Sequence, residues 1–200
     1  MSPTMTTDSP KTINLINDLK SIPSPVFYIF AAVAVFAGIF VCGFNAVGIA
    51  TSVFLLLLVA CASADIKAGI VPDLIVILIA VFGVTNFIII EQFSVPGLIN
   101  HLIGAVCISV PMLIVSLILK NAFGGGDIKL TAAAGLYLGW KFAIAGIAVG
   151  MFISGIYALI LIITKKAKMK SKIRIAPCLA LGFGMAALYG DLIGRLLFAW

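Results

Sequence analysis

The chain is poor in charged residues and in histidine. Asp, Glu, Lys and Arg make up only 10% of its 200 residues, and His101 is the single histidine. The four cysteines occur singly within apolar segments, without CxxC spacing, at Cys42, Cys61, Cys107 and Cys178. This pattern excludes a clustered zinc site, and it indicates small buried side chains rather than ligands. So little charge also excludes an ordinary soluble domain.

The chain is instead rich in apolar residues. They account for 63% of the chain, and the mean hydropathy is +1.27. A helix needs about 20 apolar residues to cross a hydrocarbon core of about 30 Å. The sequence therefore predicts an all-α polytopic membrane helix bundle with six to seven transmembrane helices. The segments long enough to span are 26–43, 46–64, 71–90, 98–119, 143–163 and 175–198, and a shorter apolar helix is predicted at 128–140.

The positions of Lys and Arg predict the orientation of the bundle. Lys67, Lys120, Lys129 and the basic run at 165–174 all fall in connectors that seven passes would place on one side. By the positive-inside rule that side is cytoplasmic, together with the N-terminus. The net charge of +6 then reflects topology and contact with anionic membrane lipids, and we expect no nucleic-acid binding.

The chain divides into a polar tail at 1–25 and a membrane-embedded domain at 26–200. Within the tail, an apolar face is formed by four residues of a helix that could begin after Ser9: Ile13, Ile16, Leu19 and Ile22. We expect a cytoplasmic tail with an interfacial amphipathic helix, and the alternative is a helix that docks a partner.

Two acidic residues stand at the edges of apolar segments, Asp65 after 46–64 and Asp127 before 128–140. An ionisable group at membrane depth is costly, so it is a candidate for function. The predicted topology places both aspartates on the cytoplasmic side, separated by one helical hairpin. Two neighbouring carboxylates tend to share one proton, and the pair can then activate water as a base and protonate a leaving group as an acid. This chemistry requires neither a metal ion nor another cofactor.

The residues around the aspartates have both structural and functional interpretations. Gly124, Gly125 and Gly126 could form a flexible loop that admits a substrate backbone, or only a helix connector. Asp73, after Pro72, could stabilise a helix N-terminus or be a third carboxylate that shapes the site. Lys129 could extend to the membrane surface, tune the aspartates or contact substrate. GxxxG spacings at 135–139 and 146–150 predict close helix packing, within the bundle or between copies of an oligomer.

Three segments resemble motifs of the type IV prepilin peptidase family. The first motif of that family begins with an aspartate, continues with basic or polar residues, and ends with a hydrophobic residue, then Pro, then Asn or Asp. The segment DIKAGIVPD at 65–73 is similar to it. The second motif is GxGDxKL, and similar to it is GGGDIKL at 124–130. A third stretch, which opens the last core helix, is similar to RIAPCLALG at 174–182. Together these segments cover the chain from about residue 46 to its end.

The resemblance implies an aspartic endopeptidase of the inner (cytoplasmic) membrane that removes the short basic leader of type IV prepilin-like precursors. Asp65 and Asp127 would be its catalytic pair. Pro72, Asp73, Lys129 and the three glycines would bind substrate or shape the site. The larger members carry an insertion with two CxxC pairs and also methylate the new N-terminus. This chain lacks that insertion and resembles the short peptidases of tight-adherence pilus systems, so methylation is not implied.

Two alternatives from other classes use the same residues. A small ion-coupled or proton-coupled transporter could bind its cation at Asp65 and Asp127. The position of both aspartates at the membrane boundary, rather than at its centre, argues against this. A scaffold subunit without catalytic activity would tolerate substitution of either aspartate, whereas a peptidase would not.

Overall fold

The computed structural model of the protein describes residues 25–90, 94–119, 123–164 and 175–198. Within these ranges all regular structure is α-helical, which confirms the predicted class. The predicted tail helix, the connector around Glu91, Lys120 and the basic run at 165–174 lie outside the described residues. The helices are α1 (Pro25–Cys42), α2 (Ala46–Ala68), α3 (Asp73–Ile90), α4 (Val95–Ile118), α5 (Gly125–Ile163) and α6 (Ala176–Phe198).

Glycine residues follow the ends of α1 and α2, and an asparagine caps the start of α2. Gly43 and Gly69 have φ values of 82° and 66°, which glycine adopts without steric cost. Asn45 caps α2, because its Oδ1 accepts a hydrogen bond from the N–H of Gly48 at 2.8 Å. At the other end of α2 the N–H of Gly69 donates to the carbonyl oxygen of Asp65 at 2.8 Å. Both connections are consequently short enough to form helical hairpins.

Helix α5 is 39 residues long but is broken at Gly139, where φ is 75° and ψ is 168°. We refer to 125–138 as its first arm and to 140–163 as its second arm. The sequence predicts two helices here, 128–140 and 143–163, with a turn after Trp140. The structure makes the turn with one glycine instead. A side chain at Gly139 would be strained by the positive φ, and its Cβ would lie 2.6 Å from the Nδ2 atom of Asn100.

The second arm of α5 folds back alongside the first. Tyr137, near the end of the first arm, stacks on Phe54 of α2 with the ring centroids 4.0 Å apart. Leu55, the next residue of α2, contacts Gly184 of α6, and the residue before Gly184 packs on Gly146 of the second arm. Residues 137 and 146 are therefore level with the same turn of α2. The chain reverses between them, so α5 contributes two helical segments to the described part of the bundle.

Glycines allow the arms of α5 to approach their neighbours closely. A Cβ atom at Gly135 would overlap the carbonyl oxygen of Gly104 in α4. A Cβ atom at Gly182 of α6 would overlap the carbonyl oxygen of Gly146 and the backbone of Gly150. Both predicted GxxxG spacings are thus close-packing positions within one chain.

The apolar core lies among α2, α3, α6 and the first arm of α5, whereas large apolar side chains also cover the outer surface. Four helices in the described part of the chain are long and apolar enough to cross a membrane: Ala46–Ala68, Val95–Ile118, Gly125–Ile163 and Ala176–Leu196. Phe27–Cys42 and Asp73–Ile88 are shorter apolar helices, although the sequence predicts spans there. The architecture is that of a polytopic helical membrane protein.

Candidate active site

Asp65 lies in the last turn of α2. The helix continues to Ala68, beyond the end predicted at residue 64, so the carboxylate projects from a helix and not from a loop. Only 6% of Asp65 is exposed. The glycine cap at Gly69 binds the carbonyl of this same residue, which fixes the turn that carries the carboxylate.

Asp127 lies in the first turn of α5, as predicted, and is 9% exposed. Its N–H donates to the carbonyl oxygen of Gly124 at 3.0 Å. One turn further on, the hydroxyl of Thr131 donates to the carbonyl oxygen of Asp127 at 2.8 Å, and Thr131 is fully buried. The N-terminal end of a helix also favours a negative charge. The helix dipole therefore favours a carboxylate here, and the two backbone hydrogen bonds fix the turn that carries it.

Of the two interpretations of the glycine run before Asp127, the flexible loop is wrong, because the run caps and begins a helix. Gly124 occupies the N-cap position of α5, and the next two glycines are already helical. A Cβ atom at Gly126 would lie 2.8 Å from Cβ of Val71, and one at Gly124 would lie 3.0 Å from Oδ2 of Asp127. Gly125 faces open space, with nothing within 4 Å of its Cβ position. Close packing, rather than mobility, explains two of the three glycines.

The two motifs meet at one end of the bundle. Val71 follows Asp65 by six residues and contacts Gly126, which directly precedes Asp127. The fold thus brings together the ends of α2 and α5 that carry the two buried aspartates. The Cα atoms of these two helices stay more than 8 Å apart in the described residues.

An ion pair joins the same two motifs at the surface. Nζ of Lys129 lies 2.8 Å from Oδ1 of Asp73, and both side chains are more than half exposed. Asp73 is the first residue of α3, as the sequence predicts for an acid near a helix N-terminus. The carbonyl oxygen of Pro72 accepts the hydrogen bonds from the N–H groups of Ile75 and Val76 that open this helix. The sequence identified both charged residues, but not their pairing across 56 positions.

The interior next to the site is apolar. Cys61 lies one turn before Asp65 on α2 and is fully buried, and Leu130 and Leu58 are buried beside it in the core. Further in, the ring of Tyr137 stacks on those of Phe54 and Phe82, with centroid distances of 4.0 Å and 6.2 Å. Packed apolar side chains therefore lie on the inner side of the site. No group of three His, Cys, Asp or Glu side chains that could hold a metal ion occurs within the described ranges.

A hydrogen bond from α4 supports the chain just before the second motif. The hydroxyl of Ser116 donates to the carbonyl oxygen of Phe123 at 3.2 Å. Phe123 immediately precedes the N-cap residue Gly124, so this contact restrains the start of α5. The sequence offered no signal for it, because a single serine in an apolar segment has no distinctive pattern.

Comparison with known proteins agrees with these motifs. The model of the type IV leader peptidase family matches residues 52–159, which is more than half of the chain and includes both aspartates. The chain belongs to this family. The resemblance seen in the sequence motifs is thereby confirmed.

Among curated relatives of the family, the prepilin leader peptidase/N-methyltransferase of Bacillus subtilis (strain 168) is 31% identical over 166 residues. The alignment covers 82% of this chain and 63% of that relative, so the chain spans less than two thirds of the relative's length. No solved structure matches the chain.

Proposed function

We propose that the protein is a membrane aspartic endopeptidase that removes the leader peptide from type IV prepilin-like precursors. The observation that carries the proposal is the burial of Asp65 and Asp127 at the end of the bundle where the two family motifs touch. Buried carboxylates at a membrane boundary are costly, so they are candidates for function. Family membership and the name of the Bacillus subtilis relative give the reaction class.

The chemistry needs only water and the two carboxyl groups. In the active state one aspartate is ionised and the other is protonated, since neighbouring like charges disfavour double ionisation. The ionised aspartate accepts a proton from water as its oxygen attacks the peptide carbonyl carbon. The protonated aspartate donates its proton to the carbonyl oxygen. The first aspartate, now protonated, gives its proton to the amide nitrogen as the C–N bond breaks, and a hydroxyl of the tetrahedral intermediate returns a proton to the second aspartate. An acid and an amine are released, and the pair is regenerated.

The open side of the site gives the substrate a route to Asp127. The Cβ direction of Gly125 meets no atom within 4 Å, and the nearby Asp73 and Lys129 are exposed. A precursor in an extended conformation can approach the helix start closely here because no side chain projects from Gly125. The apolar outer surface of the bundle suits lateral docking of the precursor's own membrane helix.

The distribution of Lys and Arg supports cleavage at the cytoplasmic face of the cytoplasmic membrane. Both aspartates occupy helix ends, which is also the reason that a transporter is not favoured. Coupling ions in transporters bind near the bilayer midplane, where broken helices line a cavity. The one helix break inside α5, at Gly139, is a full helix length away from Asp127.

The test is cleavage of a prepilin-like precursor by purified protein in lipid vesicles. We expect Asp65→Asn and Asp127→Asn each to lower the rate by about 10³-fold or more, because either change removes the acid or the base. Asp191→Asn is the matched control: it removes the same charge at an exposed residue near the other end of the bundle. Persistent cleavage by either variant would remove that residue from the pair. Aspartate-dependent ion flux without cleavage would favour the transporter.

A further inference from the structure

The Asp73–Lys129 ion pair connects the two motifs by a route separate from the Val71–Gly126 contact. Asp73 begins α3, and Lys129 lies in the first turn of α5. Each belongs to a segment that also carries one of the two aspartates. The first motif therefore supplies the buried acid Asp65 and the exposed charges of Lys67 and Asp73. The second supplies the buried acid Asp127 and the exposed Lys129, and Lys129 binds Asp73.

The geometry of the helices keeps this pair apart from the acid chemistry. Lys129 follows Asp127 by two positions, and residues at that spacing on a helix do not face each other. Lys129 instead reaches across to α3. Asp73 is separated from Asp65 by the end of α2 at Gly69 and by a connector of three residues. The side chains of Asp73 and Lys129 therefore do not share a helix face with the aspartate of their own motif.

The exposure of the pair limits what it can do. The side chains of Lys129 and Asp73 are 57% and 53% exposed, and exposed ion pairs contribute little to the stability of a fold. The bundle is held by its apolar core and by glycine-mediated packing. The first turns of α3 and α5 lie at the end of that core. A weak contact can set the relative position of two helix ends there even though it cannot decide folding.

We propose that the Asp73–Lys129 ion pair is a clasp that holds the two motifs against each other and thereby positions Asp65 and Asp127. This inference rests on the proposed peptidase function. Asp73 and Lys129 are positioning residues, and neither exchanges a proton with the substrate. The carboxylate of Asp73 is then required for its charge alone, and Lys129 is required for a cation that can reach α3.

The size of the effect follows from the exposure. Loss of the clasp should reduce cleavage by up to about fivefold, the range that an exposed ion pair can account for. The loss should appear in kcat with little change in KM, because the substrate is bound but the aspartates are misaligned. A third catalytic carboxylate at Asp73 would cost far more, and a substrate-binding Lys129 would raise KM.

The experiment is a charge exchange. Asp73→Lys and Lys129→Asp are each made alone and then together, with Asp191→Asn as the control for loss of an unrelated exposed carboxylate. We expect each single variant to lose activity and the double variant to recover at least half of the lost kcat. A double variant no more active than the weaker single variant would overturn the clasp, since a catalytic or substrate-binding role cannot survive the exchange.

A second measurement is independent of cleavage. Ile70→Cys and Gly125→Cys place thiols next to the touching pair Val71 and Gly126. The α-carbons of residues 70 and 125 are then within about 13 Å, since adjacent α-carbons are 3.8 Å apart. A bis-maleimide of matching reach should cross-link them fast, with variants carrying one of the two cysteines as controls.

Cross-linking should slow severalfold in the single charge variants and recover in the exchanged double variant. Equal rates in all four backgrounds would overturn the clasp even if cleavage behaves as expected. If the wild-type protein cuts no precursor while cross-linking follows this pattern, the clasp stands and the proposed function fails. The two failures are thereby distinguishable.

Discussion

A methyl group added at Gly126 should separate the two motifs. Its Cβ atom would lie 2.8 Å from Cβ and 3.1 Å from Cγ2 of Val71. Carbon atoms pack best at about 3.5–4.0 Å, so residues 126 and 71 must move apart by about 1 Å. Cβ is attached directly to the backbone, so rotation of the valine side chain cannot relieve the overlap. The backbone of either the α2–α3 connector or the first turn of α5 has to move.

The expected result of Gly126→Ala is a large loss of activity with a smaller loss of stability. Overpacking of this kind costs about 1–3 kcal/mol, and the higher helix propensity of alanine offsets about 1 kcal/mol of it. A displacement of about 1 Å at a catalytic group can reduce the rate by about 10²-fold. The assays are the initial rate of precursor cleavage in vesicles and the thermal unfolding midpoint in detergent.

Gly155→Ala is the matched control for this substitution. Gly155 lies in the second arm of the same helix, and nothing lies within 4 Å of its Cβ position. It should keep full activity and gain slightly in stability. Shortening the partner provides a second check: Val71→Gly should restore more of the activity of Gly126→Ala than Val71→Ala does, because the shortest contact is to Cβ. If Gly126→Ala cleaves as fast as Gly155→Ala, contact between the motifs does not set the geometry of the aspartates.

Three further substitutions test other parts of the structure. Gly139→Ala should lower the free energy of unfolding by about 2 kcal/mol or more, measured by denaturation in mixed micelles, because φ is positive there and Asn100 lies in the way. His101→Leu should cost about 1–3 kcal/mol in the same assay, since Nδ1–H of this buried histidine binds the carbonyl oxygen of Leu136 at 2.7 Å. Gly125→Phe should leave the unfolding midpoint unchanged but lower kcat/KM at least about tenfold, because the ring would fill the open side of the site; an unchanged kcat/KM would show that substrate approaches from elsewhere.

The predictions for Gly139→Ala and His101→Leu share a physical origin. The break at Gly139 removes the regular helical partners of the carbonyl groups in the turn before it. His101 of α4 supplies one replacement donor, to Leu136. A buried carbonyl left without a donor is costly, so both residues stabilise the reversal of α5 rather than the chemistry at Asp127.

Much of the fold was predictable because a bilayer constrains sequence strongly. Helices are the simplest way to satisfy backbone groups in lipid, so apolar length alone predicted the class and most helix positions. The GxxxG spacings predicted close packing, and the structure pairs them with Gly104 and Gly182. The two aspartates stood out because charge is rare in this chain. Each of these inferences depended on local composition or on spacing along one helix.

The predictions that were wrong depended on contacts between distant segments. Three consecutive glycines suggest a loop, yet here Gly125 and Gly126 are helical and Gly126 makes room for Val71. Apolar length could not show that the turn after the first arm of α5 needs only Gly139. Neither Asp73 nor Lys129 carries a signal for the other in a single sequence.

The sequence by itself determined that this protein is a helical membrane bundle, which family it resembles and which two acids are candidates for its chemistry. These follow from hydropathy, charge and short motifs, which act within a few residues. Only the tertiary structure decided that the motifs touch through Val71 and Gly126, that Asp73 pairs with Lys129 and that α5 reverses at one residue. Such contacts depend on how helices far apart in the chain pack, and packing is set by the shapes of both surfaces at once.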